Sequence, residues 1–368
     1  MASKVYFIDF RASYKQNFVT KLKQLAETAG MPDCLKKRDL VAVKLHFGEL
    51  GNTAFIRPVY IRHLVDAIKE AGAQPFLTDA NTLYAGSRGN AVDHLKTALK
   101  NGFAYPVVDA PLVIADGLRG KSETAVPIHQ KHCSEAYIAQ EIAAADALIS
   151  VAHFKGHELT GFGGAIKNVG MGCASRHGKM AQHSDVAPKV KRKRCVGCGE
   201  CALHCAQGAI SLEEEKARID PEKCVGCGEC ILVCEQGAIQ IQWNQSIPVF
   251  LEYMVEYTHG VLREKSGKSF FINFINHVSP ACDCPPYNDA PIVPDIGVAA
   301  STDPVALDQA CVDLVNQAPT LPHSCLQAEA DKSRDKFKSL YPKVDWPIQL
   351  DYAEKIGLGS RNYEFIQL

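Results

Sequence analysis

The chain carries almost no net charge: 40 lysines and arginines stand against 41 aspartates and glutamates, a formal charge of -1 over 368 residues. That balance argues against nucleic acid or any other strongly charged partner. No apolar run approaches the ~20 residues a membrane-spanning helix needs. The opening MASKVYFIDF has neither the apolar stretch nor the cleavage site of a secretory signal. The expectation is a cytoplasmic protein that binds neither membrane nor nucleic acid. Two nucleotide fingerprints are missing as well. In GFGGAI, Ile166 stands where G-x-G-x-x-G needs its last glycine. From Gly172 to Lys179 the spacing is one residue too long for a Walker loop, and Met180 replaces the metal-binding hydroxyl. Neither NAD nor ATP is expected there.

Cysteine, by contrast, is abundant, with 15 residues. Cys195, Cys198, Cys201 and Cys205 follow C-x2-C-x2-C-x3-C, and Cys224, Cys227, Cys230 and Cys234 repeat it. This is the ligand spacing of a bacterial two-cluster ferredoxin. Three thiolates on a tight loop hold three corners of an iron-sulfur cube, and the fourth, a helical turn on, reaches the other cube. The crossed sets are therefore Cys195, Cys198, Cys201 and Cys234 for one [4Fe-4S] cluster, and Cys224, Cys227, Cys230 and Cys205 for the other. From Arg194 to Ile210 and from Lys223 to Ile239 the copies differ only at Arg194/Lys223, Ala202/Ile231, His204/Val233 and Ala206/Glu235. Ala206 and Glu235 stand where ferredoxins usually carry proline, which bears on potential and solvent access more than on ligation. A pair of zinc sites is the competing reading of such C-x-x-C pairs. Thiolate ligands and cluster assembly favour a reducing compartment, the cytosol of an anaerobe.

Hydrophobic content of 46% and charged content of 22% are those of a globular protein with a sizeable core. Before the clusters, apolar runs alternate with amphipathic stretches: VYFIDF, then 15–29; LVAVKLHF, then 56–71; PFLTDA, then 91–99; a strand over 106–110; a helix over 134–144; and ALISVAH at 147–153. After them come a helix over 248–257, a strand in SFFINFINHV, a strand near 296–300 and a helix over 304–316. The pattern predicts an α/β fold, a mostly parallel sheet with helices on both faces. A ferredoxin-like two-[4Fe-4S] unit (α+β) over 188–243 would interrupt it, leaving 1–187 and 244–368 as the two parts of one body. The basic run Lys189 to Arg194 reads as a solvated linker and the acidic run Glu213 to Glu215 as a surface turn.

Unusual polar residues fall where strands give way to loops: Lys44, His46, Glu49 and Asn52; Asp79 and Asn81; His153, Lys155 and His157; Asn276 and His277. Parallel strands end on one edge, where open α/β sheets bind ligands. His153, Lys155 and His157 are the catalytic candidates, a histidine serving as proton donor. Lys44, His46, Lys167, Arg176, Lys179 and Asn276 are candidates for binding an anionic small molecule. The glycine-rich loop from His153 to Lys179 offers backbone amides to such a ligand. Cys173, Cys282 and Cys284 form a candidate third site: a metal with an open position, a third cube with one unliganded iron, or simply three buried thiols. Cys34, Cys133, Cys311 and Cys325 read as packing, and Asp303 before Pro304 as a helix cap.

The loop HFKGHELTGFGGAIKNVGMGCASRHGK, the cysteine repeat and CDCPPYNDAPIVPDIGVAASTDPVALDQACVDLV together resemble the iron-sulfur members of the domain of unknown function 362 family. The resemblance implies an α/β protein with an associated two-cluster ferredoxin domain, and no common reaction. It also implies that Cys173, Cys282 and Cys284 belong to the family pattern. The expected function is an oxidoreductase that takes electrons from a redox partner protein or reductant and passes them through two clusters to a bound anion. A non-enzymatic electron-transfer adaptor and Lewis-acid chemistry at the third site are the alternatives.

Overall fold

The computed structural model describes residues 2–84, 86–184, 187–224, 226–242, 245–326 and 335–368. Eight strands form the central sheet: β1 (Ser3–Asp9), β2 (Leu40–Lys44), β3 (Gln74–Asp79), β4 (Leu112–Ile114), β5 (Ala147–His153), β6 (Ser269–Ile275), β7 (Gly297–Ser301) and β8 (Tyr363–Gln367). Their spatial order is β8-β1-β7-β6-β5-β2-β3-β4. Only β7 runs against the rest, antiparallel to both β1 and β6. The other pairs are parallel. Strands β5 and β6, from either side of the cysteine repeat in sequence, are direct neighbours.

Alternate side chains of each strand supply two cores. On one face Val41, Val43, Ile149, Val151, Ile272 and Phe274 pack under helices α1 (Phe18–Thr28), α2 (Pro58–Glu70) and α3 (Ala91–Lys100). On the other, Ala42, Leu148, Phe271 and Ala299 lie under α4 (Ala165–Gly170), α6 (Ile247–Arg263) and α7 (Pro304–Gln317). Between α4 and α6 comes α5 (Arg176–His183). Helix starts follow their caps. The Asn17 side chain accepts from Thr20 N–H at 3.0 Å, and Asp303 accepts from the Val305 and Ala306 N–H groups at 2.8 and 3.1 Å.

Two sequence expectations change. The stretch 106–110 is no strand: Tyr105–Val108 is a helical turn with proline in its first turn, closed by Asp109 in the left-handed region, and the strand follows at Leu112–Ile114. The stretch 134–144 is divided. Glu135–Ala139 pairs as a strand with Glu123–Pro127, and only Gln140–Ala144 is helical. Alternation in EAYIA buries Ala136 and Ile138, and that pairing overrides helix propensity.

The cysteine-rich segment has its own small framework. Lys189–Val190 pairs with Ile239–Gln240, so the segment's two ends meet. Ile210–Glu213 and Lys216–Ile219 form a hairpin turned by exposed Glu214 and Glu215. Short helices Glu200–Leu203 and Glu229–Leu232 each follow a glycine at positive φ, Gly199 and Gly228. Their shared core holds Cys201, Ile210, Ala217, Ile231, Ile239 and Ile241, completed by Leu83 and Met180 from outside the segment. The basic run is exposed from Lys191 to Arg194.

Candidate functional site

The carboxyl ends of β2, β3 and β5 open onto a cavity of about 640 Å³. Lys44 and His46 reach it from β2, Asp79 from β3, and Lys155 and His157 from the loop after β5. Lys167 and Lys179 come from the glycine-rich loop, and Cys282 and Cys284 from the loop after β6. Most of its cations are neutralised locally. Lys44 pairs with Asp79 at 3.0 Å, Arg88 with Glu49 at 3.0 Å, and Lys155 with Asp283 at 3.1 Å. Lys179 donates to the Asn81 and Ala174 carbonyls at 2.9 and 2.8 Å. Lys167 differs: its Nζ stands 3.8 Å from Cys282 Sγ and makes no salt bridge among the described residues.

Burial sets the protonation of the histidines on this wall. It lowers His46 and holds His157 well below the usual imidazole range, helped at His157 by Lys167. Burial and Lys167 push His183 down to about 3. Neutral imidazoles accept protons and do not supply them. Burial works against the charge of Lys167 too, but the Cys282 and Cys284 sulfurs outweigh it and raise the ammonium.

Three expected site residues lie elsewhere. His153 is bound at both ring nitrogens, to the Asp283 carboxylate at 2.9 Å and the Asn276 carbonyl at 2.8 Å. Neither His153 nor Asn276 lines the cavity; both anchor the loop after β6 from behind. Arg176 points away from the cavity and into the cysteine-rich segment, meeting Glu229 at 3.2 Å and the Gly228 carbonyl at 2.6 Å. The expected trio also separates. Cys173 is fully buried in the core beneath α4 and α6, where burial pushes its thiol up to about 11, and it is not part of the wall carrying Cys282 and Cys284. Cys34, Cys133 and Cys311 are buried as packing, but Cys325 is exposed.

The glycine-rich loop owes much of its composition to close packing. Asp308 of α7 accepts the Ala165 and Ile166 N–H groups at 2.7 and 3.0 Å, so a side chain fills the N-terminus of α4. A Cβ on Gly164 would lie 2.2 Å from Asp308 Oδ1, and one on Gly156 would lie 2.0 Å from the Pro280 carbonyl oxygen. Residues that sequence reasoning missed are Asp283, Arg88, Tyr84 and His183. Only Asp283 had a local signal, a carboxylate set between two cysteines.

The eight repeat cysteines fall around two small cavities. Cys195, Cys198, Cys201 and Cys234 line one small cavity, and Cys205, Cys224, Cys227 and Cys230 line a second. Backbone N–H groups point at three of these sulfurs: Ala217 at Cys195 (3.3 Å), Ala209 at Cys205 (3.3 Å) and Ala238 at Cys234 (3.2 Å). Such donors suit thiolates carrying a cluster's negative charge.

Fold and cavity define an α/β protein with a pocket at the carboxyl edge of a mostly parallel sheet, its wall mainly apolar and set with charged groups that are largely paired. The chain belongs to the family described as domain of unknown function (DUF362), which matches it over residues 41–313. No curated protein matches it. Among solved structures, the lactate racemase apoprotein from Thermoanaerobacterium thermosaccharolyticum is similar at 11% identity and a TM-score of 0.38, covering 74% of this chain. The chain spans 50% of that protein's length. Among the described residues, no helix is long and apolar enough to cross a membrane.

Proposed function

We propose that the protein is an iron-sulfur oxidoreductase in which residues 188–243 form an inserted two-cluster ferredoxin domain serving an anionic small molecule in the 640 Å³ cavity. The observation that carries this reading is the division of the eight cysteines into two crossed sets, each around its own cavity. When bound, the two [4Fe-4S] clusters would supply one-electron transfer at potentials the protein tunes.

The rest follows from the chain's own residues. Cys198 is exposed, and Val196 and Leu203 near it are 62% and 79% exposed, a rim that a redox partner or reductant can reach. The second set lies on the cavity side. A Cβ on its Gly228 would lie 2.7 Å from Leu83 Cδ1, and Leu83 also lines the cavity. Electrons would enter at the Cys195 set and leave from the Cys224 set. Lys167 would hold the anion. Lys179, its ammonium lowered by burial, has one N–H left for the cavity and is a better proton donor than the neutral histidines.

Anaerobically purified protein should contain about eight irons and as many labile sulfides per chain, and Cys198→Ala should lose up to half of both. Zinc without sulfide would sink the reading. A photoreduced sample incubated with candidate anions should show turnover that Cys198→Ala abolishes.

A further inference from the structure

The cavity wall carries two sulfurs that electron transfer leaves unused. Cys282 and Cys284, two residues apart, face the cavity, while Asp283 between them is held on the other side by His153 and Lys155. The sulfurs lie 2.9 Å apart, and Cys284 Sγ is also 3.7 Å from His46 Nε2. The Gly48 N–H donates to His46 Nδ1 at 3.0 Å, so the hydrogen of the neutral ring is on Nε2, aimed at the Cys284 sulfur. A ring fixed this way donates a hydrogen bond and has no Nε2 lone pair for a metal. The Tyr84 hydroxyl, which accepts from Arg88 at 2.8 Å, stands beside the same sulfur. The carboxylates nearby have cations of their own: Asp79 has Lys44, Glu49 has Arg88 and Asp283 has Lys155. Lys167, His157 and His183 complete the surrounding wall. Donors converge on Cys284.

We propose that Cys284 is a nucleophilic thiolate of this cavity, activated by the Cys282 S–H and the His46 Nε2–H, and that it attacks an electrophilic carbon of a small anionic molecule held by Lys167. The sulfur lone pair forms an S–C bond, and the leaving group departs with the electron pair of the bond that breaks. No electron is gained or lost, so the step goes beyond the cluster reading and does not depend on it. The hydrogen bond from Cys282, with His46 and Lys167, holds the Cys284 thiol well below its usual range, and Cys282 is pushed well above it in return. Thiolate character and access together govern such reactivity, and Cys284 is half-buried on the cavity wall.

The test needs no substitution at first. Reduced, cluster-loaded protein is treated anaerobically at pH 6.5 with limiting iodoacetate or iodoacetamide, and each cysteine is followed by peptide mapping. Exposed Cys325 is the internal reference. Cys284 should be carboxymethylated at least about tenfold faster than Cys325, with a larger preference for the anionic reagent. His46→Ala should slow Cys284 about tenfold without changing Cys325, and His46→Gln should restore part of the rate. Labelling of Cys284 no faster than Cys325 overturns the proposal, as does an unchanged rate in His46→Ala. So does a stoichiometric divalent metal that Cys284→Ser releases. Failure of the cluster reading appears separately, as alkylation of the eight repeat cysteines on other peptides.

Discussion

Asp283 shows how a single buried carboxylate organises this site. Burial alone would raise its pKa, but His153 and Lys155 outweigh burial and hold it well below the usual carboxylate range. Removing the charge takes their buried partner from Lys155 and from the His153 ring, so Asp283→Asn should lower the unfolding free energy from urea titration near pH 7 by about 3 kcal/mol. The sign with pH follows from the lowered value: the contribution is present above the ordinary 3.8 and fades as pH falls through the folded-state value. The gap between Asp283→Asn and the parent should therefore close in acid. At this scale the sequence was a partial guide. Lys44, His46, Lys155, His157, Lys167 and Lys179 were legible because they sit at strand ends or in one conspicuous loop. His153 and Arg176 share that placement yet face other partners, since edge position does not fix side-chain direction. Arg88 and His183 come from stretches with no fingerprint, and only tertiary packing brings them to the wall.

Among elements, α7 and the glycine-rich loop are tied through Asp308. Its carboxylate takes the Ala165 and Ile166 N–H groups and Asn273 Nδ2, the last at 2.7 Å. Burial nonetheless pushes its pKa up to about 6. A raised carboxyl contributes stability fully below the ordinary 3.8 and loses it as pH rises through about 6. Urea midpoints of the parent should carry that decline between about pH 4 and 6, and those of Asp308→Asn should lack it. Strands and amphipathic helices were readable from period and caps. The reversed direction of β7 was not, because strand direction depends on distant pairing and not on the period-two pattern. The same limit explains why Glu135–Ala139 reads as helix in isolation.

Over the whole molecule, Arg176 joins the body to the cysteine-rich segment. It meets Glu229 and the Gly228 carbonyl, and Glu229 also receives Arg119 at 2.9 Å. Arg176→Met should speed amide exchange across 195–240 while leaving β5 and β6 protected, because the buried latch is lost and the sheet is untouched. Hydrogen-exchange mass spectrometry reads both regions at once; equal protection in 195–240 would rule the latch out. The repeat made the grouping of the eight cysteines around two small cavities legible, since its spacing is local. The latch was hidden because its partners are far apart along the chain.

Leu83 belongs to two compartments at once, lining the ligand cavity and completing the hydrophobic centre of the cysteine-rich segment. With Gly228 so close to its methyl group, there is little slack between them. A change in that one side chain therefore reshapes both chambers together, as a party wall does for the rooms on either side.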